Sequence, residues 1–141
     1  VSADLDSILA GIDGILFDMD GVLLDTEAIY TEATQRLLGP LASRFDFRLK
    51  EKMMGRAPQV AAKILLEGVG SSMSIDEYNQ KKAPVLLELF RSSKPKLGAP
   101  ELVLELKRRG LPIAVATSSD RKFLEAKTSH HDWFNFDVVV C

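Results

Sequence analysis

Cysteine is nearly absent from these 141 residues: Cys141 stands alone, so no internal disulfide can staple the fold. A basic excess is absent too. Lys and Arg number 18 against 20 Asp and Glu, and the net charge of -2 gives no electrostatic footprint for nucleic acid. Long apolar runs are missing, since none approaches the ~20 residues that a bilayer span requires. The opening "VSADLDSILAGID" has no basic segment followed by an apolar core and does not read as a secretion signal. It also starts without Met, as a processed or trimmed chain would. Neither internal repeats nor low-complexity tracts occur. These absences leave the cytoplasm as the default location and a globular domain as the default form. A hydrophobic fraction of 46% and a charged fraction of 27% fit one domain, or one domain with a modest insertion.

Three short apolar runs carry the fold signal. "GILF" (14–17) ends in acid, "LPIAVAT" (111–117) ends in hydroxyls, and "FDVVV" (136–140) comes last. Continuous rather than alternating apolar residues suit strands buried on both faces, as in a parallel sheet covered by helices. "APELVLELKRRG" (99–110) precedes the second run and places Leu102, Val103, Leu106 and Leu111 at helical spacing. Pro100 fits its first turn, the basic triplet 107–109 its last, and Gly110 its C-terminal cap. A further helix is expected from Arg121 to Ser129. Strand, helix, strand, helix, strand is an α/β pattern.

Residues 26–94 break that alternation. "TEAIYTEATQRLL" and "QVAAKILLEGVG" read as helices, the second ending in glycine. "SIDEYNQKKAPVLLELF" opens with Ser74 and Glu77 in capping-box spacing and is expected to be interrupted or kinked near Pro84. The organisation expected is an α/β core from 1–25 and 95–141 with a helical insertion over 26–94. Hinges would fall near 25–27 and in the turn-rich "SSKPKLG" (92–98).

The acids concentrate in "FDMDGVLLDTE" (17–27). Asp18 falls where a buried strand should end, and ligands of open parallel sheets bind outside the carboxyl ends of the strands. Asp20 lies two positions on, and Gly21 permits a tight turn. Two carboxylates this close repel unless a cation lies between them or one is protonated. Either solution is chemically useful: an ionised acid can attack an electrophile while its protonated partner supplies a leaving group. D-x-D-G alone is equally consistent with an acidic turn. A calcium loop fits poorly, because Val22, Leu23 and Leu24 are apolar where ligands would stand. "AVATSSD" (114–120) adds Thr117, Ser118 and Ser119 at a second strand end, a cradle for an anion. Ser119 or Asp120 would also cap the following helix.

"ILFDMDGVLLDTE" resembles the first motif of the haloacid dehalogenase superfamily (h-h-h-h-D-x-D-G), and "PIAVATSS" resembles its second. The helical stretch between them stands where that family carries a helical cap, and the likeness runs from about Ile12 onward. "KTSHHDWF" (127–134) adds likeness to the pseudouridine-5′-phosphatase and β-phosphoglucomutase-like branch. The resemblance implies a Rossmann-like parallel core and a Mg²⁺-dependent phosphatase of small phosphorylated metabolites. Asp18 would be the nucleophile and a metal ligand. Asp20 would be the acid/base and give its backbone carbonyl to the metal. Thr117, helped by Ser118, would hold the phosphoryl group. In the cap, Glu27 would face the substrate or remain a solvated first-turn acid. "MMGRAP" resembles the substrate loop, with Gly55 allowing close approach and Arg56 either contacting the ligand or lying on the surface. Tyr30 stands where the family's sugar phosphomutases carry histidine, which favours hydrolysis.

The family pattern continues beyond the third strand with a lysine and an acidic motif that completes the metal shell. This sequence ends at "FDVVVC". Lys122 and Lys127 precede that strand and are not read as the family lysine, and His130 and His131 are read as surface or packing residues. The expectation is half an active site, inactive alone, with "GILFD" on an open sheet edge that a further C-terminal segment would complete. Competing readings are a sugar phosphomutase, a phospho-accepting receiver-like module, and a scaffold without catalysis. No nucleic-acid or membrane partner is expected.

Overall fold

The computed structural model describes residues 2–141, with side chains from Leu5 onward. Of the N-terminal stretch read above as lacking a secretion signal, Val1 and the next three side chains lie outside that description. The three apolar runs form β1 (Ile15–Phe17), β2 (Ile113–Ala116) and β3 (Val138–Val140), in one parallel sheet ordered β1-β2-β3. Register pairs Ile15 with Ile113 and Leu16 with Ala114, while Ala114 pairs onward with Val138. Among the described residues β1 pairs only with β2, so its other edge is open. The chain divides into two compact units, Val1–Asp25 with Ser93–Cys141, and Thr26–Ser92.

In the first unit, α1 (Ser2–Leu9) precedes the sheet, and α6 (Ala99–Arg108) and α7 (Arg121–Thr128) flank β2 in sequence. Val103 and Leu106 of α6 and Leu124 of α7 pack with Ile113 and Val115 of β2, while Leu102 lies at the surface. Gly110 follows α6 with φ of 73° and donates its N–H to the Lys107 carbonyl, as expected of a residue closing a helix.

The expectation of strands buried on both faces is corrected. Ile113 and Val115 are closed off, yet Leu16 is 67% and Val138 55% exposed. Register puts Leu16, Ala114 and Val138 in one row on the second face, and the apolar cluster holding both helices contains none of the three. A continuous apolar run marks what a strand can bury. It does not say whether both faces are covered.

The second unit is helical. It contains α2 (Glu27–Leu38), a 3-10 segment (Gly39–Arg44), α3 (Phe47–Met53), α4 (Pro58–Val69) and α5 (Ile75–Phe90). Its core gathers Leu38, Leu49, Ala62, Leu65, Leu66, Val69 and Tyr78. Ser74 caps α5 by accepting the Glu77 N–H at 3.2 Å. Gly70 takes the left-handed conformation that ends α4. α5 is not interrupted at Pro84, since one helix continues to Phe90 with Leu86, Leu89 and Phe90 buried. Burial of that face outweighs the backbone hydrogen bond that proline removes. The short α3 escapes the periodicity argument because Leu49 is its single buried residue; the Asp46 side chain, accepting the Leu49 N–H at 2.8 Å, starts it.

Candidate active site

Asp18 is the first residue beyond β1 and is exposed. Its Oδ1 accepts the N–H of Met19 at 2.8 Å, which leaves Oδ2 for a cation or an electrophile. The chain then folds back within six residues. Leu23 and Leu24 both donate their N–H to the Met19 carbonyl at 3.0 Å, and Gly21, at φ of 77°, donates to Leu24. Met19, Leu23 and Leu24 are closed from solvent and belong to the core cluster. The apolar residues inside the acidic stretch therefore anchor its turn. Asp25 leaves it separately, pairing with Lys96 at 3.2 Å.

The carboxylate of Asp20 sits in a hydrogen-bonded network from the end of β2 and from α7. Lys127 Nζ donates to Asp20 Oδ1 at 2.6 Å, and Ser119 Oγ donates to Oδ2 at 3.1 Å. Thr117 Oγ1 approaches the same Oδ2 at 3.5 Å, the outer limit of a hydrogen bond. Lys127 also donates to Ser119 Oγ at 2.8 Å, and Thr117 Oγ1 accepts the Ser119 N–H at 3.1 Å. Thr117 itself is fixed by its N–H to the Val140 carbonyl.

The Lys127 side chain is wholly buried, against 25% exposure for Asp20. Burial lowers its pKa from the ordinary lysine value, and the neighbouring Asp20 opposes that shift. Helix geometry explains how it reaches the site. Asp120 caps α7 by accepting the Phe123 N–H at 2.8 Å, and helical side chains slant toward the N-terminus. A lysine in the last turn therefore reaches back toward Thr117 and Ser119. At its other end, the Lys127 carbonyl accepts Ser93 Oγ at 2.8 Å.

The structure thus brings together Asp20 and Thr117, with Asp18 at the mouth of the same turn. Two placements add to the sequence reading. Lys127, set aside on its helix, lies in the network, whereas Lys122 is exposed. Ser119 joins the carboxylate while Asp120 does the capping, and Ser118, singled out as an anion ligand, is exposed outside these bonds. The signal for Lys127 was present: it stands three residues from Leu124, on the buried face of α7. His130 and His131 pack near Ser93 and Trp133.

The sequence-selected residues of the second unit lie in more exposed surroundings. Glu27 is in the first turn of α2 and pairs with Lys50 at 3.2 Å. Gly55 has φ of 69° in the turn after α3, and Arg56 is exposed beside it. Tyr30 packs edge-on against Phe90 and beneath the Lys82 ammonium, 5.8 Å from its ring centre.

Among the described residues no group of three or more His, Cys, Asp or Glu gathers as a metal cluster. The oxygen donors at the turn are the Asp18 carboxylate and the Asp20 backbone carbonyl, since the Asp20 carboxylate is held by Lys127 and Ser119. Such a set fits Mg²⁺, which takes one or two carboxylates and retains waters.

Comparison with known proteins gives one family. Residues 12–141 match the model for haloacid dehalogenase-like hydrolases. A (DL)-glycerol-3-phosphatase from Arabidopsis thaliana is 38% identical over 107 residues, covering 74% of this chain and 45% of that protein. A Drosophila melanogaster protein that carries the name pseudouridine-5′-phosphatase is 34% identical over 117 residues, covering 82% and 51%. The chain therefore spans about half the length of these relatives. Among solved structures, a candidate β-phosphoglucomutase from Thermotoga maritima superposes with a TM-score of 0.69 at 28% identity, over 92% of this chain and 61% of that one.

Proposed function

The chain belongs to the haloacid dehalogenase-like hydrolase family, and from that premise we propose that the protein is a Mg²⁺-dependent phosphatase of small phosphorylated metabolites, sugar or nucleoside phosphates. The observation that carries this reading lies at the sheet end: an exposed Asp18 carboxylate, two residues before an Asp20 carboxylate held by Lys127, Ser119 and Thr117. The names of the curated relatives support the substrate class.

An Asp18 oxygen attacks phosphorus and the bond to the leaving oxygen breaks. That oxygen takes a proton from Asp20. Water then attacks phosphorus of the aspartyl-phosphate and returns a proton to Asp20. Orthophosphate departs and Asp18 is regenerated. Thr117 and the chain at Ser118 hold the phosphoryl oxygens at the end of β2. The Asp18 carboxylate and the Asp20 backbone carbonyl would hold Mg²⁺, which neutralises phosphoryl charge when bound. Glu27, Gly55 and Arg56 are the substrate-contacting residues assigned to the second unit.

The test is orthophosphate release by the full natural protein with Mg²⁺ and a panel of phosphate monoesters. No release from any of them, with Asp18→Asn indistinguishable from the parent, sinks the reading. A phosphomutase is the second reading, favoured by the likeness to the candidate β-phosphoglucomutase and opposed by Tyr30. Interconversion of hexose phosphates without orthophosphate release would establish it.

A further inference from the structure

Among the described residues Lys127 is the one buried lysine, and burying an ammonium is costly even when it is paired. An apolar side chain of similar length could fill the same space beside Leu124 without that cost. Its partners suggest what the charge does there. The ammonium spans Asp20 Oδ1 and Ser119 Oγ, and Ser119 in turn donates to Asp20 Oδ2. Both oxygens of one carboxylate are thus held from the same side, by one cation and one hydroxyl that are themselves bonded. A two-point hold fixes the plane of a carboxylate as well as its position. The backbone under Lys127 is tied down by Ser93, so the anchor does not drift with the end of the helix.

We propose that Lys127 is a positioning residue that, with Ser119, sets the direction of the Asp20 carboxylate. The inference rests on the phosphatase reading for its kinetic consequence, since Asp20 there passes a proton to and from the leaving oxygen. Its structural content stands without that reading. Lys127 on this account touches no substrate atom and acts through Asp20.

The kinetic test compares Lys127→Met, Lys127→Arg and Ser119→Ala with the parent in the full natural protein. An alkyl phosphate needs a proton on its leaving oxygen; p-nitrophenyl phosphate hardly does. Lys127→Met is expected to lower kcat on the alkyl substrate by about 10- to 100-fold, the range for a misplaced acid–base group. KM should stay within about threefold, and the loss on p-nitrophenyl phosphate should be several-fold smaller. Lys127→Arg should restore part of kcat. In an Asp20→Asn background, Lys127→Met should cost little more, because the group it positions is gone. Equal losses on both substrates, a loss confined to KM, or full additivity with Asp20→Asn would each overturn the proposal. If Lys127→Met does not fold, Ser119→Ala keeps the buried charge, removes the second hold and must show the same preference for the alkyl substrate. Crystal structures separate this inference from the phosphatase reading. In the Lys127→Met variant the Asp20 carboxylate should turn to a new rotamer. An unmoved Asp20 would refute the positioning role whether or not the parent hydrolyses phosphate esters.

Discussion

The acids at the sheet end and the polar residues singled out in the helical unit are held in opposite ways. Asp20 is bonded on both oxygens by groups about a hundred residues away in sequence, one of them fully buried. Glu27 pairs with Lys50 at 3.2 Å and is itself 57% exposed, while Arg56 is exposed. A hydrogen-bonded network anchored on a buried lysine tolerates little displacement, whereas an exposed ion pair is worth at most about 1 kcal/mol and rearranges freely. The first arrangement suits chemistry that is the same for every substrate. The second suits recognition that varies between substrates. Substitutions in the first region should therefore change turnover, and those in the second should change which substrate is taken.

The strongest break in that contrast is Asp18→Asn. It removes the proposed nucleophile, so orthophosphate release should fall by about four orders of magnitude or more. Asp18 is exposed, so thermal unfolding should stay nearly unchanged; a large drop in melting temperature would mean that Asp18 has a structural role instead. Next comes Leu65→Ala, at a fully buried position of the helical core. It should destabilise by about 2–5 kcal/mol in denaturant unfolding. A cost under about 1 kcal/mol would show that this core is loosely packed. Arg56→Ala should change unfolding by no more than about 0.5 kcal/mol. It should raise KM several-fold on some substrates of a panel and leave kcat in place. A uniform fall in kcat would move Arg56 into the chemical step.

The smallest effect concerns pH. Glu105 is brought down to about 2 by hydrogen bonds from Arg108 and then Arg109. A carboxyl depressed when folded contributes stability above its unfolded value near 4.5, and loses it as pH falls toward 2. Its chemical shift in an NMR titration should therefore move only in strong acid, and an ordinary midpoint would show that these exposed pairs are not populated in solution.

Contiguous features were legible in the sequence. Asp18, Asp20 and Gly21 are a local pattern at the end of an apolar run, and each apolar run became a strand. The caps at Ser74 and Asp120 were legible because a cap is a contact over three residues. What escaped depended on distance. Lys127 meets Asp20 across 107 positions, and its spacing from Leu124 marks a buried face of the helix but names no partner. Ser119 was visible as a hydroxyl, but its choice between helix cap and carboxylate is settled only once Asp20 is brought to the end of β2. Coverage of the sheet was illegible for the same reason. Leu16 and Val138 are as apolar as Ile113 and Val115, and only the position of the helices separates them.

The most direct measurement is to quench the full natural protein with acid during turnover of a phosphate monoester in Mg²⁺ and map the phosphorylated peptide by mass spectrometry. A hydroxylamine-sensitive phosphate on Asp18, lost in Asp18→Asn, is the predicted result. Phosphate on Ser119, Thr117 or any other residue, or turnover with no phosphorylated peptide and with Asp18→Asn still active, would contradict it.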